Sequence, residues 1–361
     1  MQKQQQRFTE SLMHWYEPDR RPLPWKGIKN PYFIWLSEII LQQTRVEQGM
    51  PYYLKFIEHY PTVADLAKAE DDAVMKLWEG LGYYSRARNM LAAARYIMDF
   101  HQGVFPSKHK EILALKGVGP YTAAAIASFA YQLPHAVVDG NVYRVLARYF
   151  GVDLATDSTA GKKTFSQLAQ ACLDIDQPDL YNQAIMDFGA TICTPKTPQC
   201  GDCPLHNDCI ARADDRVQEL PFKAKKIKKR QRYFYYLEIE SEDGVILHKR
   251  IQKDIWHSLY QFPLIETQVG VEDLRILEQE SLWQALLKPN AYHLISTSQP
   301  YQQTLTHQKI QARFLKIRLK KSAQIELPEG FFFQPKNRLK QFAFPRVFDC
   351  YLEDNSLYLN L

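Results

Sequence analysis

Four of the six cysteines of this 361-residue chain, Cys193, Cys200, Cys203 and Cys209, fall in one run with gaps of six, two and five residues. Four thiolates that close along a chain can converge on one centre, and such a centre is usually a metal. The segment contains Pro195, Pro198 and Pro204 and few large apolar residues. It cannot bury a core of its own, so an inorganic centre must hold it. Structural zinc also takes four thiolates, commonly as two close Cys-x2-4-Cys pairs with a longer spacer. Here one x2 pair, Cys200/Cys203, stands between single cysteines. A four-iron cluster tolerates such uneven spacing. The pattern favours iron–sulfur over zinc, and either over disulfides.

A disulfide framework would need a secretory context. The N-terminus, Met1–Tyr16, lacks a continuous apolar run, so no signal peptide is expected. No stretch reaches the ~18 apolar residues of a membrane span. The sequence thus points to a reducing, cytoplasmic setting without a membrane, where a cysteine cluster is more often a metal site. The length allows two domains with well-sized cores.

The net charge of +5 is unevenly placed: Lys223, Lys225, Lys226, Lys228, Lys229, Arg230 and Arg232 follow one another without an acidic residue. Without those seven cations the chain would be net negative. The plain reading is a solvated linker and the sharper one a position near nucleic acid phosphates; the charge run alone does not decide between them. Before it, apolar residues recur at helical spacing in Ile34–Leu41, Ala73–Leu81, Leu91–Phe100 and Ala123–Phe129. After it, Tyr233–Glu240, Gly244–Arg250, Tyr292–Thr297 and Ile310–Leu319 are strand-like, and Glu272–Leu287 looks like one helix. The expected organisation is a mostly α domain over 1–222, a basic linker over 223–232 and an α+β domain over 233–361.

Within the first part, Leu115-Lys116-Gly117-Val118-Gly119-Pro120-Tyr121-Thr122-Ala123 runs a helical stretch into a Gly-x-Gly turn and an alanine-rich helix. Pro120 suits that helix's first turn. Backbone amides at such a turn and helix start favour an anion, and a DNA phosphate fits. An ordinary helix–helix turn is the plain alternative. Farther on, Val137-Val138-Asp139-Gly140-Asn141-Val142 presents Asp139, whose simplest role is N-cap of the next helix. A second carboxylate, Glu38, sits in Trp35-Leu36-Ser37-Glu38-Ile39-Ile40-Leu41-Gln42-Gln43-Thr44 among large apolar neighbours. Burial there would raise its pKa and keep a proton available for acid catalysis. Two carboxylates in different environments suit cleavage of a bond to an anomeric carbon.

These motifs, in this order, resemble the endonuclease III superfamily of DNA glycosylases, with its helix-hairpin-helix and iron–sulfur loop. Within it the chain is similar to the adenine DNA glycosylase (MutY) family. The similarity is carried by Trp35–Thr44, by Gly80-Leu81-Gly82-Tyr83-Tyr84-Ser85-Arg86-Ala87-Arg88, and by a further domain after the cluster. The resemblance implies one four-iron, four-sulfur cluster on Cys193, Cys200, Cys203 and Cys209. It implies Glu38 as catalytic acid and Asp139 as stabiliser of an oxocarbenium-like sugar, with Tyr121 and Asn141 orienting them. Gln43 and Tyr83 match positions that insert into the duplex, and Gly117, Gly119 and Thr122 match the hairpin that meets DNA. Trp25, Leu41 and Gln183 match adenine-pocket positions, and Lys26 stands where relatives can carry arginine.

Bifunctional relatives carry a nucleophilic lysine where this chain has Tyr121, so the resemblance implies a monofunctional enzyme. The C-terminal domain resembles a Nudix-like module without the Glu-rich box that nucleotide hydrolysis needs. There Leu305, Thr306 and His307 match a lesion-reading loop, with leucine in place of its usual aromatic ring. The implied partner is double-stranded DNA with adenine opposite 8-oxoguanine or guanine, bound by a monomer in a bacterial type of cytoplasm. Three rivals remain: an endonuclease III-like glycosylase for oxidised or mismatched pyrimidines, a non-catalytic iron–sulfur DNA-binding protein, and a zinc-stabilised interaction module.

Overall fold

A computed structural model describes residues 2–224, 228–287, 292–320 and 326–355. Lys225 and Lys226 of the basic linker lie outside the described residues. The chain divides into two compact units, residues 1–68 with 89–226, and residues 69–88 with 227–361. The sequence placed 69–88 with the helical part; here it packs with the second unit.

The helices in chain order are α1 (Gln2–Trp15), α2 (Pro31–Leu41), α3 (Val46–His59), α4 (Val63–Lys68), α5 (Asp71–Leu77), α6 (Ser85–His101), α7 (His109–Ala114), α8 (Pro120–Tyr131), α9 (Gly140–Phe150), α10 (Thr159–Cys172), α11 (Pro178–Thr191), α12 (Ile210–Ala213), α13 (Ser281–Leu286) and α14 (Arg346–Asp354). The strands are β1 (Arg230–Ser241), β2 (Gly244–Lys249), β3 (Tyr260–Gln261), β4 (Leu264–Thr267), β5 (Tyr292–Thr297), β6 (Tyr301–Thr304), β7 (Gln308–Leu319) and β8 (Phe331–Gln334).

In the first unit α2 is apolar on every side, and such a helix must be buried all round. Asn30 caps it by accepting from the Tyr32 N–H, and Pro31 opens its first turn. Ile34, Trp35, Leu36, Ile39 and Ile40 are then within 2% of complete burial. Each contributes roughly 1.5–3 kcal/mol, enough to hold a carboxylate inside the same helix. A second core gathers around α9, where Val142, Val145, Leu146 and Tyr149 meet Phe8 and Leu12 of α1, Phe165 of α10 and Tyr181, Ile185 and Phe188 of α11. Cys193, Cys203 and Cys209 pack against its edge.

The second unit is built on a mixed sheet with path β3-β2-β1-β7-β5. β1 and β7 run parallel at its centre and the remaining pairs are antiparallel. A central strand covered on both faces reads as continuously buried, as β1 does from Phe234 to Glu240. Tyr235, Leu237 and Ile239 join Trp283 and Leu286 of α13 on one side. Phe234 and Tyr236 join the aromatic cluster of Phe314, Phe348 and Tyr351, in which Phe314 and Tyr351 stack at 3.8 Å. The single helix expected over Glu272–Leu287 is instead a 3₁₀ turn, Leu274–Gln279, followed by α13. Glu280 breaks them with an extended backbone, φ −71° and ψ 141°.

Residues 69–88 dock onto this unit through polar contacts. Asp72 accepts from Tyr260 Oη at 2.6 Å and from Lys249 Nζ at 2.5 Å. Glu79 accepts from the Phe344 N–H at 2.8 Å, and Arg88 donates to the His257 carbonyl at 2.6 Å.

Candidate active site

Nine of the residues singled out from the sequence line one cavity of about 1260 Å³: Trp25, Lys26, Glu38, Leu41, Gln43, Tyr121, Asp139, Asn141 and Gln183. They come from the loop before α2, from α2 and its end, and from the starts of α8 and α9 and the face of α11. Glu38 is 8% exposed. Burial pushes its carboxyl from 4.5 up to about 7; a hydrogen bond with Tyr121 opposes the rise, and the neighbouring charge of Asp139 adds to it. Tyr121 is itself raised far above the usual phenol range, chiefly by burial.

Asp139 is the N-cap of α9, as the sequence expected. Its Oδ1 accepts from the Val142 N–H at 2.8 Å and its Oδ2 from Asn141 Nδ2 at 2.9 Å. Burial raises its pKa, while these hydrogen bonds and the Arg144 charge pull it down. Arg144 was not singled out from the sequence. Its Nη2 donates to Asn141 Oδ1 at 2.8 Å and to the Gly189 carbonyl at 2.6 Å, and its Nε to the Cys193 carbonyl at 2.7 Å. It therefore joins the Asp139 turn to the start of the cysteine loop. The signal was present: Arg144 and Arg148 stand one turn apart among the apolar residues Val142, Val145, Leu146 and Ala147, and buried cations need built partners.

The hairpin lies between α7 and α8. Gly117 has φ +82°, and an added Cβ would come within 2.7 Å of the Asn89 Cβ, so glycine is required there. Gly119 has an ordinary φ of −95°, and nothing lies within 4 Å of a Cβ added to it. Space in front of that backbone is thus kept open. Thr122 is turned inward, 2% exposed, and accepts from Gln42 Nε2 at 3.2 Å. Its backbone N–H lies in the first turn of α8, where N–H groups have no partner within the helix.

Gln43 and Tyr83 both adopt the left-handed backbone, with φ of 54° and 47°. Non-glycine residues seldom do so, and such strain gathers at functional sites. Tyr83 belongs to the second unit, is 47% exposed, and its hydroxyl hydrogen-bonds Thr306 Oγ1. Leu305, Thr306 and His307 form the turn between β6 and β7, closed by the Leu305 N–H donating to the Gln308 carbonyl at 2.8 Å.

The four cysteines Cys193, Cys200, Cys203 and Cys209 surround one small cavity, together with Arg148, His206 and Arg212. Arg148 binds the loop with both Nη atoms, Nη1 donating to the Thr194 carbonyl at 2.8 Å and to Cys193 Sγ at 3.4 Å and Nη2 to Pro195 O at 3.1 Å, while its Nε donates to Leu220 O beyond the loop at 3.1 Å. Burial pushes the Cys203 thiol up to about 12. Thiolates in such surroundings need a cationic centre to hold them charged, so the donor set fits an iron–sulfur cluster.

Comparison with known proteins agrees with this layout. Residues 36–171 match the HhH-GPD superfamily of base excision DNA repair proteins, 193–209 the iron–sulfur binding domain of endonuclease III, and 234–354 the NUDIX domain. The adenine DNA glycosylase of Buchnera aphidicola subsp. Acyrthosiphon pisum (strain APS) is 36% identical over 258 residues, covering 71% of this chain and 73% of that protein. The chain belongs to the adenine DNA glycosylase family. The mouse (Mus musculus) adenine DNA glycosylase is 40% identical over 220 residues, 58% of this chain and 42% of that protein. Among solved structures, a thermostable thymine-DNA glycosylase superposes with a TM-score of 0.55 at 30% identity, covering 59% of this chain and 98% of its own. A non-covalent endonuclease III–DNA complex superposes at 0.52 with 21% identity, over 60% of this chain and 99% of its own, and shares the fold. As a member of its family the chain is a DNA-binding glycosylase of base excision repair, with an iron–sulfur cluster in segment 193–209. Among the described residues no helix is long and apolar enough to cross a membrane.

Proposed function

We propose that this enzyme removes adenine mispaired with 8-oxoguanine, and less well with guanine, and that it does so by hydrolysis without cutting the strand. The observation that carries the chemistry is Glu38, held inside α2 with its pKa pushed up to about 7 in the same cavity as Asp139. An acid with a pKa near the working pH is half loaded and can give its proton to a leaving group. The target adenine leaves the stack and enters the cavity. Glu38 protonates N7, the glycosidic bond breaks, and anionic Asp139 stabilises the positive sugar that remains until water adds.

Tyr121 and Asn141 hold the two carboxyl groups. A phenol at 121 offers no amine for a Schiff base, which supports the monofunctional reading. Trp25, Leu41 and Gln183 form the wall against the base. The strained backbones of Gln43 and Tyr83 suit side chains that enter the duplex, and Gly117, Gly119 and the Thr122 N–H suit a phosphate. Tyr83 beside Thr306, in one compact unit, supports a shared role for wedge and lesion-reading turn. Leu305, Thr306 and His307 then read the base opposite the adenine.

Cys193, Cys200, Cys203 and Cys209 would hold one four-iron cluster, which when bound supplies a rigid cationic brace for the loop. The enzyme works as a monomer on double-stranded DNA in the cytoplasm, with a glycosylase domain to about residue 222 from which segment 69–88 is set apart, a basic linker, and a lesion-reading domain whose first strand already begins at Arg230, with Arg232 buried and paired with Asp254 and Glu266. A base-release assay on duplexes with one lesion each tests the reading. Free adenine from the pair with 8-oxoguanine is expected. If that adenine survives while thymine glycol is excised, the assignment is wrong.

A further inference from the structure

Behind the cavity wall stands a carboxylate that no step above uses. Asp187 on α11 is buried, with its side chain 5% exposed, and it holds three side chains that line the cavity. Its Oδ1 accepts from Arg21 Nη1 at 3.0 Å and from Gln183 Nε2 at 3.4 Å, and its Oδ2 is paired with Lys26 Nζ. Gln183 and Asp187 are one helical turn apart, on the same face of α11. A carboxylate paired with two cations offers only acceptors. The amide beside it must turn its NH₂ end toward it, which leaves the carbonyl oxygen as the end free for a ligand.

Adenine and hypoxanthine differ at the six position: an amino donor in one, a carbonyl acceptor in the other. We propose that Asp187 is a specificity-determining positioning residue that locks the polarity of the Gln183 amide. Gln183 Oε1 then accepts from the six-amino group of the extruded adenine and repels a six-oxo purine. The inference rests on the reading of Gln183 as part of the adenine wall. An asparagine at 187 could donate as well as accept, so it would release the lock and let the amide invert.

The test uses the full chain with its cluster and two duplexes, with deoxyadenosine or deoxyinosine opposite 8-oxoguanine. The readout is the ratio of kcat/KM for the two, which does not depend on the active fraction of a preparation. Asp187→Asn should lower the adenine preference about tenfold, the worth of one hydrogen bond. Asp187→Asn combined with Gln183→Glu should restore it, because a carboxylate at 183 is an acceptor whichever way it turns. An unchanged ratio in Asp187→Asn, or a fall that the double variant does not repair, overturns the proposal. If the single variant does not accumulate, the double variant keeps the charge balance of the cluster and decides alone: a wild-type ratio supports the lock and a collapsed ratio overturns it. Gln183→Ala separates the premises. An unchanged ratio there means Gln183 does not touch the base, and the wall reading falls with the proposal. A changed ratio there with none in Asp187→Asn removes the lock alone.

Discussion

Glu38→Gln should leave the protein more stable above neutrality while depriving it of its acid. Burial raises the Glu38 carboxyl from 4.5 to about 7. The unfolded chain releases this proton near its ordinary value and the folded chain holds it to about 7. The stability held by the protonated group is therefore complete below pH 4.5, lost progressively as pH rises through about 7, and level beyond. The gap corresponds to about 3 kcal/mol at pH 8. Glutamine stays neutral at every pH and its carbonyl can still accept from Tyr121, so the variant avoids that loss. Scanning calorimetry at pH 8 should place its unfolding roughly 5–10 °C above the parent protein. At pH 5 the difference should shrink to under about 1 kcal/mol. A variant no more stable than the parent at pH 8, or one with the same advantage at both pH values, would refute the buried-acid argument.

Other expectations follow from the same geometry. Single-turnover base release should fall roughly tenfold per pH unit above about pH 7, where Glu38 loses its proton; a rate that climbs from pH 7 to 9 counts against it. Asp139→Asn keeps an acceptor for the Val142 N–H, so unfolding should move little while base release drops about 10²–10³-fold. Arg144→Gln frees the Asn141 amide, and base release should slow about tenfold with duplex binding unchanged in a gel-shift titration. Metal analysis of the purified protein should find iron and acid-labile sulfide in equal amounts, and zinc in their place would contradict the cluster.

Local signals were the legible ones. Asp139 as a cap, the strands after the linker and the enclosure of Glu38 each depend on a few consecutive residues, and the structure shows all three. Features set by distant partners were not legible. Residues 69–88 have helical spacing, yet their packing is decided by Asp72 and Glu79 meeting Tyr260 and Phe344, more than 180 residues on. Glu272–Leu287 has the composition of one helix, and only the extended backbone at Glu280 divides it. Nothing in the hairpin segment itself reveals that Gln42 donates to the Thr122 hydroxyl. Arg144 and Asp187 were missed for the same reason, since their partners come from other elements. Glu38, Leu41, Gln43, Tyr121, Asp139 and Asn141 are legible because each stands in a motif whose spacing is itself local, whereas Trp25 and Gln183 are reached only through the family resemblance.

The central claim is that Glu38 supplies the proton that releases adenine. The most direct measurement follows free adenine in a single turnover on a duplex with adenine opposite 8-oxoguanine, for the parent chain and for Glu38→Gln, with DNA affinity recorded in the same samples. Release by the parent and none by a variant that binds the duplex equally well is the predicted result. Release at the parent rate by Glu38→Gln would contradict it.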